Sequence, residues 1–209
     1  MRIITISREF GSGGREIGKR LADILGFDYY DREIITALSD KSGLDENYLE
    51  AMLENDFWQT VPLTFHHSFE SIVVLNPINN HILIDQAKLL KDIAKKGRDC
   101  IIVGRNADFI LKEYNPLNLF VSSSMEEKLK RCMARAPEDE KLSERQMKAK
   151  IKKIDRNRAK TRSIISGSPW GHRGTYHLIV NTADWEIKEL TPLIADFAKG
   201  FFECKKDID

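Results

Sequence analysis

Short apolar runs alternate along this chain with longer segments whose apolar residues recur every three or four positions. The short runs are bounded by Gly, Asn, Pro or Ser and predict buried β-strands, whereas the longer pattern predicts amphipathic helices. The predicted strands are 3–7, 100–104, 117–121 and 176–181, with a weaker fifth at 27–30, and the predicted helices are about 14–25, 32–40, 82–96, 125–135, 142–165 and 186–203. Because such alternation is typical of parallel sheets, we predict an α/β fold with a parallel five-stranded sheet and helices on both faces.

Polar residues follow most of these strands, and they are expected to meet at one edge of the sheet. Ligands of open parallel sheets bind in the crevice beyond the carboxyl ends of the strands. The residues at those ends are Ser7-Arg8, Tyr30-Asp31, Gly104-Arg105-Asn106, Ser122-Ser123 and Asn181-Thr182. The sequence therefore predicts that a single crevice is lined by these polar and charged side chains.

Residues 41–80 interrupt the alternation of strands and helices. They begin with a short helical pattern at Leu49, Met52 and Leu53 and continue with several aromatic residues around Pro62. Within a single domain over residues 1–209, we predict that this insertion is a helical subdomain. It would cover the strand ends on the substrate side or form an oligomer contact. An irregular aromatic mini-core is the alternative interpretation.

The first strand leads into a loop with glycines at positions 11, 13 and 14, and a helical pattern follows. Strand, glycine-rich loop and helix are the arrangement in which bare backbone N–H groups and a helix N-terminus hold a phosphate. Glycine permits left-handed backbone angles and the close approach of an anion. The segment therefore predicts a phosphate-binding loop, and an ordinary glycine-rich turn is the alternative.

Two registers align this loop with the phosphate-binding motif G-x-x-x-x-G-K-[ST]. In the first register the motif runs from Gly13 to Arg20, and Arg20 stands where a hydroxyl should hold magnesium. In the second register the loop follows its strand directly, and Gly14 and Arg15 occupy the usual Lys and Ser/Thr positions. We favour the second register, because Ile17 is then the first helix residue that faces the core.

Charge and composition narrow the function classes. The chain has 33 basic and 32 acidic residues, but residues 128–162 hold fourteen Lys and Arg against five acids. Such a block attracts phosphates or nucleic acid, although a solvated helix face explains most of its lysines. No apolar run approaches the roughly 20 residues of a membrane span. Three distant cysteines suggest neither disulfides nor a metal site, so we expect a cytoplasmic protein without metal-ligating residues.

Several segments together resemble the cytidylate-kinase-like family, a branch of the P-loop nucleoside monophosphate kinases. They are Ile-Ser-Arg-Glu-Phe-Gly-Ser-Gly-Gly-Arg-Glu-Ile-Gly (6–18), Tyr-Tyr-Asp-Arg-Glu-Ile-Ile (29–35), Ile-Ile-Val-Gly-Arg-Asn-Ala-Asp-Phe-Ile-Leu (101–111), Ile-Asp-Arg-Asn-Arg-Ala-Lys (154–160), Trp-Gly (170–171) and Tyr-His-Leu-Ile-Val-Asn-Thr (176–182). The resemblance covers almost the whole chain in the right order. It implies a P-loop kinase fold with a lid, which we place at residues 136–174.

The resemblance implies an acceptor-binding side of the site. Asp31 stands where authentic cytidylate kinases carry an aspartate at the edge of the monophosphate site, although an aspartate there is also a good helix N-cap. Gly104-Arg105-Asn106 is similar to their Gly-Arg-Asp motif, whose arginine and aspartate engage the acceptor nucleotide. Asn106 replaces that aspartate, which leaves the selectivity for cytosine open.

The resemblance also implies catalytic residues. Arg131 matches an arginine in the helix before the lid, and Asp155 and Arg158 match an Asp-x-x-Arg motif whose arginine reaches the transferring phosphoryl group. In these enzymes the phosphate-binding loop carries a Lys and a Ser/Thr, and here Gly14 and Arg15 stand in their places.

Phosphoryl transfer requires that the two substrates are positioned and that positive groups, together with magnesium, contact the equatorial oxygens of the transferred group. Because the loop lysine is missing, we expect Arg8, Arg15 or Lys19 to bring a cation to the phosphates, alongside the backbone of Gly11, Ser12, Gly13 and Gly14. Ser12 offers a hydroxyl for magnesium, although it is misplaced in the favoured register. The implied ligands are ATP and Mg²⁺.

Three interpretations of function follow from these observations. The first is an ATP-dependent kinase that phosphorylates CMP or dCMP and binds nucleoside mono- and triphosphates. The second is a nucleotide- or anion-binding protein of the same fold that has lost the chemistry and serves regulation or docking. The third, a nucleic-acid binder, is the weakest, because the basic stretch lacks aromatic residues for base stacking. The sequence indicates no membrane partner, and it leaves a homo-oligomer open.

Overall fold

The computed structural model describes residues 1–47, 49, 58–65, 68–75, 77–136 and 142–204. The chain divides into two compact units, one formed by Met1–Asp31 with Leu90–Asp209 and the other by Arg32–Leu89. Among the helices of the described residues, none combines the length and the apolar character that a membrane span requires.

The described residues form seven strands and seven α-helices. The strands are β1 Ile3–Arg8, β2 Asp28–Tyr30, β3 Trp58–Phe65, β4 Ser68–Leu75, β5 Cys100–Val103, β6 Leu117–Ser122 and β7 Leu178–Asn181. The helices are α1 Gly14–Leu25, α2 Glu33–Ser42, α3 Pro77–Lys95, α4 Ala107–Ile110, α5 Met125–Arg135, α6 Glu144–Ser166 and α7 Ile187–Cys204, and a 3₁₀ turn covers Lys112–Tyr114.

Five strands form one parallel sheet in the larger unit, in the order β2-β5-β1-β6-β7. Ile4 in the central strand pairs with Ile101 on one side and with Leu117 on the other. All strands therefore end at the same edge, where Arg8, Asp31 and the residues after Val103 meet. The prediction of a parallel five-stranded sheet is confirmed.

Both faces of the sheet are covered, because the pleat sends alternate side chains to opposite faces and both sets are buried. Every residue of β1 is buried. Ile4 and Ile6 belong to the core cluster that also contains Leu21 of α1 and Ile194 of α7. This continuous burial explains why the strands appear in the sequence as uninterrupted apolar runs.

Local capping signals set the ends of the helices next to the site. Helix α1 begins directly after Gly13, and Gly26 ends it in a left-handed conformation. Ser143 and Gln146 form a reciprocal capping box at the start of α6. The α1 bounds coincide with the predicted helix 14–25, and those of α6 lie within two residues of the predicted 142–165.

The smaller unit corrects part of the prediction for residues 41–80. Residues 58–65 and 68–75 form an antiparallel pair of strands, with Val61 opposite Ile72, where we expected helix. The physical reason is composition, because β-branched residues such as those in Ser-Ile-Val-Val-Leu (71–75) favour strands. The predicted helical positions Met52 and Leu53 lie outside the described residues, and the role of the insertion stays a prediction.

Candidate functional site

The loop between β1 and α1, residues 9–13 and called the glycine loop here, has the geometry of an anion-binding turn. Gly11 and Gly13 adopt left-handed φ angles of 78° and 85°. A Cβ on Gly13 would lie 2.7 Å from Cδ1 of Ile187, so only glycine fits there. Helix α1 begins at Gly14, directly after the loop, as the second register predicts. The helix N-terminus and the loop amides thus lie at the carboxyl edge of the sheet.

Ser12 has a different position from the one expected of a magnesium ligand. Its side chain is fully buried. Its hydroxyl donates to the carbonyl of Glu9 at 2.8 Å, and its own carbonyl accepts from Oγ1 of Thr182 at 2.7 Å. Ser12 therefore fixes the fold of the glycine loop in this structure.

A cavity of about 310 Å³ lies beside the glycine loop, and its wall is completed by the C-terminal end of α5 and by α6, from Met147 to Arg158. Its lining is strongly positive, with six cationic side chains against the two carboxylates Glu9 and Glu16. The six are Arg8, Arg15, Arg131, Arg135, Lys150 and Arg158. Such an excess of positive charge in a concave surface favours an anionic ligand.

Arg8 and Arg15 both approach Asp31, which directly follows β2. Nε of Arg15 lies 2.7 Å from one carboxylate oxygen of Asp31, and Nη2 of Arg8 lies 3.4 Å from the other. The Asp31 carboxylate is buried. Arg32 holds the N-cap position of α2, one residue after Asp31.

The surroundings of Arg8 are positively charged. Burial lowers the pKa of the Arg8 guanidinium to about 9, and the positive charges of Arg158, Arg15 and Arg105 act in the same direction, while Asp31 opposes them. Arg8 therefore remains charged at neutral pH. We call Arg8 and the three arginines that act on it, Arg15, Arg105 and Arg158, the arginine cluster.

The loop after β5 is conformationally strained. Gly104, Arg105 and Asn106 all adopt left-handed φ angles, of 78°, 59° and 52°. Residues other than glycine pay about 1 kcal/mol or more for this conformation, and such strain concentrates at functional sites. A Cβ on Gly104 would lie only 1.8 Å from Nη1 of Arg8, so the Arg8 guanidinium packs directly on this glycine. The predicted acceptor loop therefore contacts the arginine cluster.

Arg131 ties the glycine loop to the ends of two strands. Its guanidinium donates to Oγ1 and to the carbonyl of Thr182, each at 2.8 Å, to the Ser123 hydroxyl at 3.3 Å and to the Ser12 carbonyl at 3.4 Å. Its contacts are those of a structural clamp that also lines the cavity.

Asp155 connects α6 to the glycine loop. One of its carboxylate oxygens accepts from the backbone N–H of Phe10 at 2.7 Å, and the other accepts from Nζ of Lys128 at 2.6 Å. Lys128 is buried and also lies 3.1 Å from the Glu9 carboxylate. This network holds the loop in place. The sequence did not identify Glu9 and Lys128 as site residues. Lys128 lies four residues before Cys132, on the helix face that meets the cavity.

Arg158 reaches the cavity from α6, and Lys19 does not reach it. Nη1 of Arg158 donates to the carbonyl of Arg8 at 3.1 Å, and its guanidinium lies 5.8 Å from the centre of the Phe10 ring. Lys19 is exposed and pairs with Asp23 at 3.2 Å. The structure therefore brings Arg8, Arg15 and Arg158 together and leaves Lys19 outside.

A second ion pair on α6 was not anticipated. Nη1 of Arg162 lies 2.7 Å from Oδ2 of Asp108, and both side chains are almost completely buried. Burial raises the pKa of the Asp108 carboxyl, and the charge of Arg162 opposes that shift. This pair joins α6 to α4, directly after the strained loop.

The residues near the glycine loop do not fit a protein-held magnesium ion. In the favoured register, Arg15 occupies the position of the usual hydroxyl ligand. The hydroxyl of Ser12 donates its hydrogen bond to the carbonyl of Glu9. Within the part of the chain that the structure describes, no three His, Cys, Asp or Glu side chains are grouped as metal ligands. A magnesium ion at this site would be held by the phosphate oxygens of a ligand.

The fold is similar to that of several solved proteins, two shikimate kinases among them. An uncharacterized protein from Eubacterium ventriosum matches with a TM-score of 0.68 and 23% identity, over 95% of this chain and 99% of its own. Shikimate kinase from Acinetobacter baumannii, solved with shikimate, matches with a TM-score of 0.54 and 14% identity over 100% and 96% of the two chains. Shikimate kinase from Bacteroides thetaiotaomicron matches with a TM-score of 0.56 and 11% identity, over 95% of this chain and 98% of its own. At these identities the similarity shows the fold alone, that of a P-loop kinase.

Sequence comparison assigns the family. No curated relative matches the sequence. The model of the cytidylate kinase-like family matches residues 3–184, which include the glycine loop, Asp31, the strained loop and Arg158. The chain belongs to the cytidylate kinase-like family.

Proposed function

We propose that the protein is a phosphotransferase that moves the γ-phosphoryl group of ATP to a nucleoside monophosphate, CMP or dCMP. The observation that carries this proposal is the cavity beside the glycine loop, whose lining holds six cations and two carboxylates. Phosphoryl transfer requires little from a protein besides positioning and positive charge around the transferred group. Such an enzyme works where ATP is available, and the cytoplasm is its proposed location.

In this proposal the glycine loop and the N-terminus of α1 bind the phosphates of ATP. The loop amides and the helix dipole supply the first contacts. Arg158 lies over the loop with its guanidinium in the cavity, so it is placed to meet negative charge that grows during transfer. Magnesium enters with the nucleotide, because the protein offers no ligand set for it among the described residues.

A second cavity of about 300 Å³ offers space for the base of the donor nucleotide. It shares Glu16, Arg131 and Arg135 with the first cavity, and Trp185 stands in its wall. Trp185 is half exposed, so one of its surfaces is available for stacking against a base. The two adjoining cavities suit a ligand with phosphates at one end and an aromatic group at the other.

The acceptor nucleotide is proposed to lie against Asp31, Arg105 and Asn106. In this position Arg105 would form bidentate contacts with the acceptor phosphate, which a lysine cannot reproduce. An asparagine presents both a donor and an acceptor, so Asn106 restricts the base less than an aspartate does. The acceptor is therefore tested with CMP, dCMP and UMP side by side.

Calorimetric titration with ATP·Mg, ADP, CMP, dCMP and UMP, followed by a coupled assay of ADP release, tests the proposal. We expect ATP and at least one pyrimidine monophosphate to bind, and ADP to form only when both are present. Arg156→Ala is a matched control, because this exposed arginine on α6 is not part of the cavity wall. Absence of ADP release with every monophosphate would contradict the proposal.

A catalytically degenerate nucleotide-binding protein is the second candidate. The observation that favours it is the replacement of the loop lysine and hydroxyl by Gly14 and Arg15. Binding of ATP and CMP without ADP release would identify this candidate.

We also propose that residues 136–174 form a lid that closes over the phosphates. In the described part of this segment, Arg158 reaches the cavity and Arg162 is anchored to Asp108. Closure would exclude water from the transferred group. Hydrogen exchange in the first half of α6 is expected to slow when ATP is added, and equal exchange with and without ATP would indicate a fixed helix.

A further inference from the structure

We propose that Arg8 supplies the cation that phosphate-binding loops ordinarily take from a lysine, so that in this chain a glycine and a cation have exchanged positions. The inference rests on the proposed function and names the residue that replaces the missing charge. Arg15 and Lys19 are the alternatives that the sequence offers.

The exchange is visible when residues 8–15 are aligned with the common motif. The motif G-x-x-x-x-G-K-[ST] begins with a glycine and carries its lysine at the first position of the helix. Here the first position is Arg8, Gly13 is the second glycine, and Gly14 occupies the lysine position as the first residue of α1. The loop therefore retains its length and its second glycine, while its first glycine and its cation are transposed.

The contact between Arg8 and Gly14 makes the two replacements interdependent. A Cβ on Gly14 would lie 2.6 Å from Cβ and 3.0 Å from Cγ of Arg8. Carbon atoms do not approach this closely without a shift of the backbone or of the side-chain stem. A lysine at position 14 is thus incompatible with Arg8, whose stem occupies the space in which a lysine stem would begin.

A second glycine accommodates the guanidinium of the same residue. Nη1 of Arg8 lies directly against Gly104, in the space that a Cβ on this residue would fill. The Arg8 side chain therefore runs from the start of α1 to the carboxyl end of β5, between the glycine loop and the proposed acceptor loop. Of the three candidates, Arg8 is the one that spans this junction.

The charge of Arg8 is only partly neutralised. Asp31 lies 3.4 Å from Arg8 but only 2.7 Å from Arg15, so the shorter ion pair belongs to Arg15. The side chain of Arg8 is 9% exposed, and a buried cation requires a counter-charge. A phosphate at the junction would supply that charge.

A guanidinium at this junction stabilises the transferred group without changing its covalent chemistry. An oxygen of the acceptor phosphate forms the new bond to the γ-phosphorus, and the bond from that phosphorus to the β–γ bridging oxygen breaks, with its electron pair leaving on ADP. Arg8 donates to phosphoryl oxygens through its planar fork, and its protonation state is unchanged by the step.

A reciprocal exchange of the two residues tests the inference. The variants are Arg8→Met, which keeps the volume of the stem without its charge, Arg8→Gly, Gly14→Lys, and the double variant Arg8→Gly/Gly14→Lys. We expect Arg8→Met and Arg8→Gly to lower kcat about 10²-fold, as the loss of one preorganised donor does. Gly14→Lys should also lower kcat about 10²-fold, because the lysine stem displaces the Arg8 side chain from its place. The double variant restores the first glycine and the lysine of the common motif, with Arg15 still at its Ser/Thr position, and it should recover at least 10-fold over either of its parents. Thermal unfolding confirms that each variant is folded.

Binding of inorganic pyrophosphate separates this inference from the proposed function. Arg8→Met should weaken pyrophosphate binding about 10-fold, and the double variant should bind more tightly than Arg8→Gly. If the wild type binds pyrophosphate but releases no ADP, the proposed function fails. The role of Arg8 is then judged from pyrophosphate binding by the variants alone. If Arg8→Met binds pyrophosphate and turns over like the wild type, or if the folded double variant is no better than Arg8→Gly, the inference is wrong. A wild type that binds neither pyrophosphate nor ATP overturns both.

Discussion

Two arginines one turn apart on α6 have opposite electrostatic surroundings. Arg162 is almost completely buried and lies 2.7 Å from the carboxylate of Asp108, so one positive charge meets one negative charge. Arg158 lines the cavity and belongs to the arginine cluster. In that cluster four arginines lie near one another, and two of them share the carboxylate of Asp31. The same residue type on the same helix thus forms a balanced pair in one place and part of a positive excess in the other.

The difference distinguishes an ion pair that maintains the fold from a group of charges that binds a ligand. Burying charge is costly unless an opposite charge compensates it. In the Arg162–Asp108 pair one positive charge is balanced by one negative charge within the protein. In the arginine cluster, Arg8 and Arg15 share the one carboxylate of Asp31, and an anionic ligand is the further counter-charge that we propose. Counting charges around each arginine therefore separates candidate binding residues from structural ones.

Arg162→Met should give the largest effect, on stability. The substitution leaves the Asp108 carboxylate buried without its cation, and removal of one partner of a buried pair costs about 3–5 kcal/mol. Urea unfolding at pH 7 measures the loss. Because burial already raises the pKa of Asp108, the variant should be less destabilised at low pH, where the carboxyl takes up a proton.

The double variant Arg162→Met/Asp108→Leu is the control for this prediction. Replacement of a whole buried pair by apolar side chains is often neutral, so we expect most of the lost stability to return. A double variant as unstable as Arg162→Met alone would mean that the two side chains are not coupled, and the comparison with Arg158 would then lose its basis.

Arg158→Ala should act on catalysis instead. We expect kcat to fall about 10²-fold or more while the unfolding free energy changes little, because the group meets charge that develops during transfer. Arg158→Lys should rescue little, since an ammonium cannot reproduce the guanidinium fork. Steady-state ADP release measures both variants, with Arg156→Ala as the exposed control on the same helix. Wild-type turnover by Arg158→Ala would remove Arg158 from the proposed mechanism.

Arg105→Ala should produce a smaller effect of a different kind. Arg105 lies at the proposed acceptor side, and a contact made equally in the ground state and the transition state affects KM rather than kcat. We expect the KM for the monophosphate to rise about 10-fold, as the loss of one charge-assisted contact predicts. Titration of the acceptor at saturating ATP provides the measurement. A fall in kcat at constant KM would instead assign Arg105 to the transition state.

Most of the large unit was predictable from the sequence, because its strands are buried on both faces and its helices are strongly periodic. The predicted helices 14–25 and 125–135 coincide with α1 and α5. The strands at 58–65 and 68–75 were missed for a local reason. Pro62 lies inside the first strand, where a proline argues against a strand assignment, and His66-His67 lacks the Gly or Asn signal that marks a two-residue hairpin turn.

The candidate site was predictable only where strand ends converge. Arg8, Asp31 and Arg105 follow parallel strands, and the topology brings such residues together whatever their separation in the chain. The Lys128–Asp155 and Asp108–Arg162 pairs join helices far apart in sequence, and no periodic pattern records such pairing. Lys19 was expected at the phosphates, but it lies five residues after Gly14, and helix geometry turns its side chain to another side of α1.

Glu16 provides the smallest effect and a third type of ion pair, at the rim between the two cavities. It pairs with Arg20 at 3.0 Å and with Arg135. Burial alone would raise the pKa of the Glu16 carboxyl, but hydrogen bonds from the two arginines outweigh it and hold that pKa below its ordinary value of 4.5. A carboxyl with a lowered pKa stabilises the fold above pH 4.5, and that contribution disappears as the pH falls through the lowered pKa.

Glu16→Gln should therefore cost at most about 1 kcal/mol at pH 7 and less at pH 3, where more of the carboxyl is protonated. Urea unfolding at both pH values measures the difference. Glu126→Gln is the matched control, because Glu126 also lies in the first turn of a helix and shares the dipole interaction, but among the described residues it forms no ion pair. If the cost of Glu16→Gln were the same at both pH values, or no larger than that of Glu126→Gln, the pairing with the two arginines would contribute nothing. The rim would then differ from both the buried pair and the arginine cluster in having no electrostatic role.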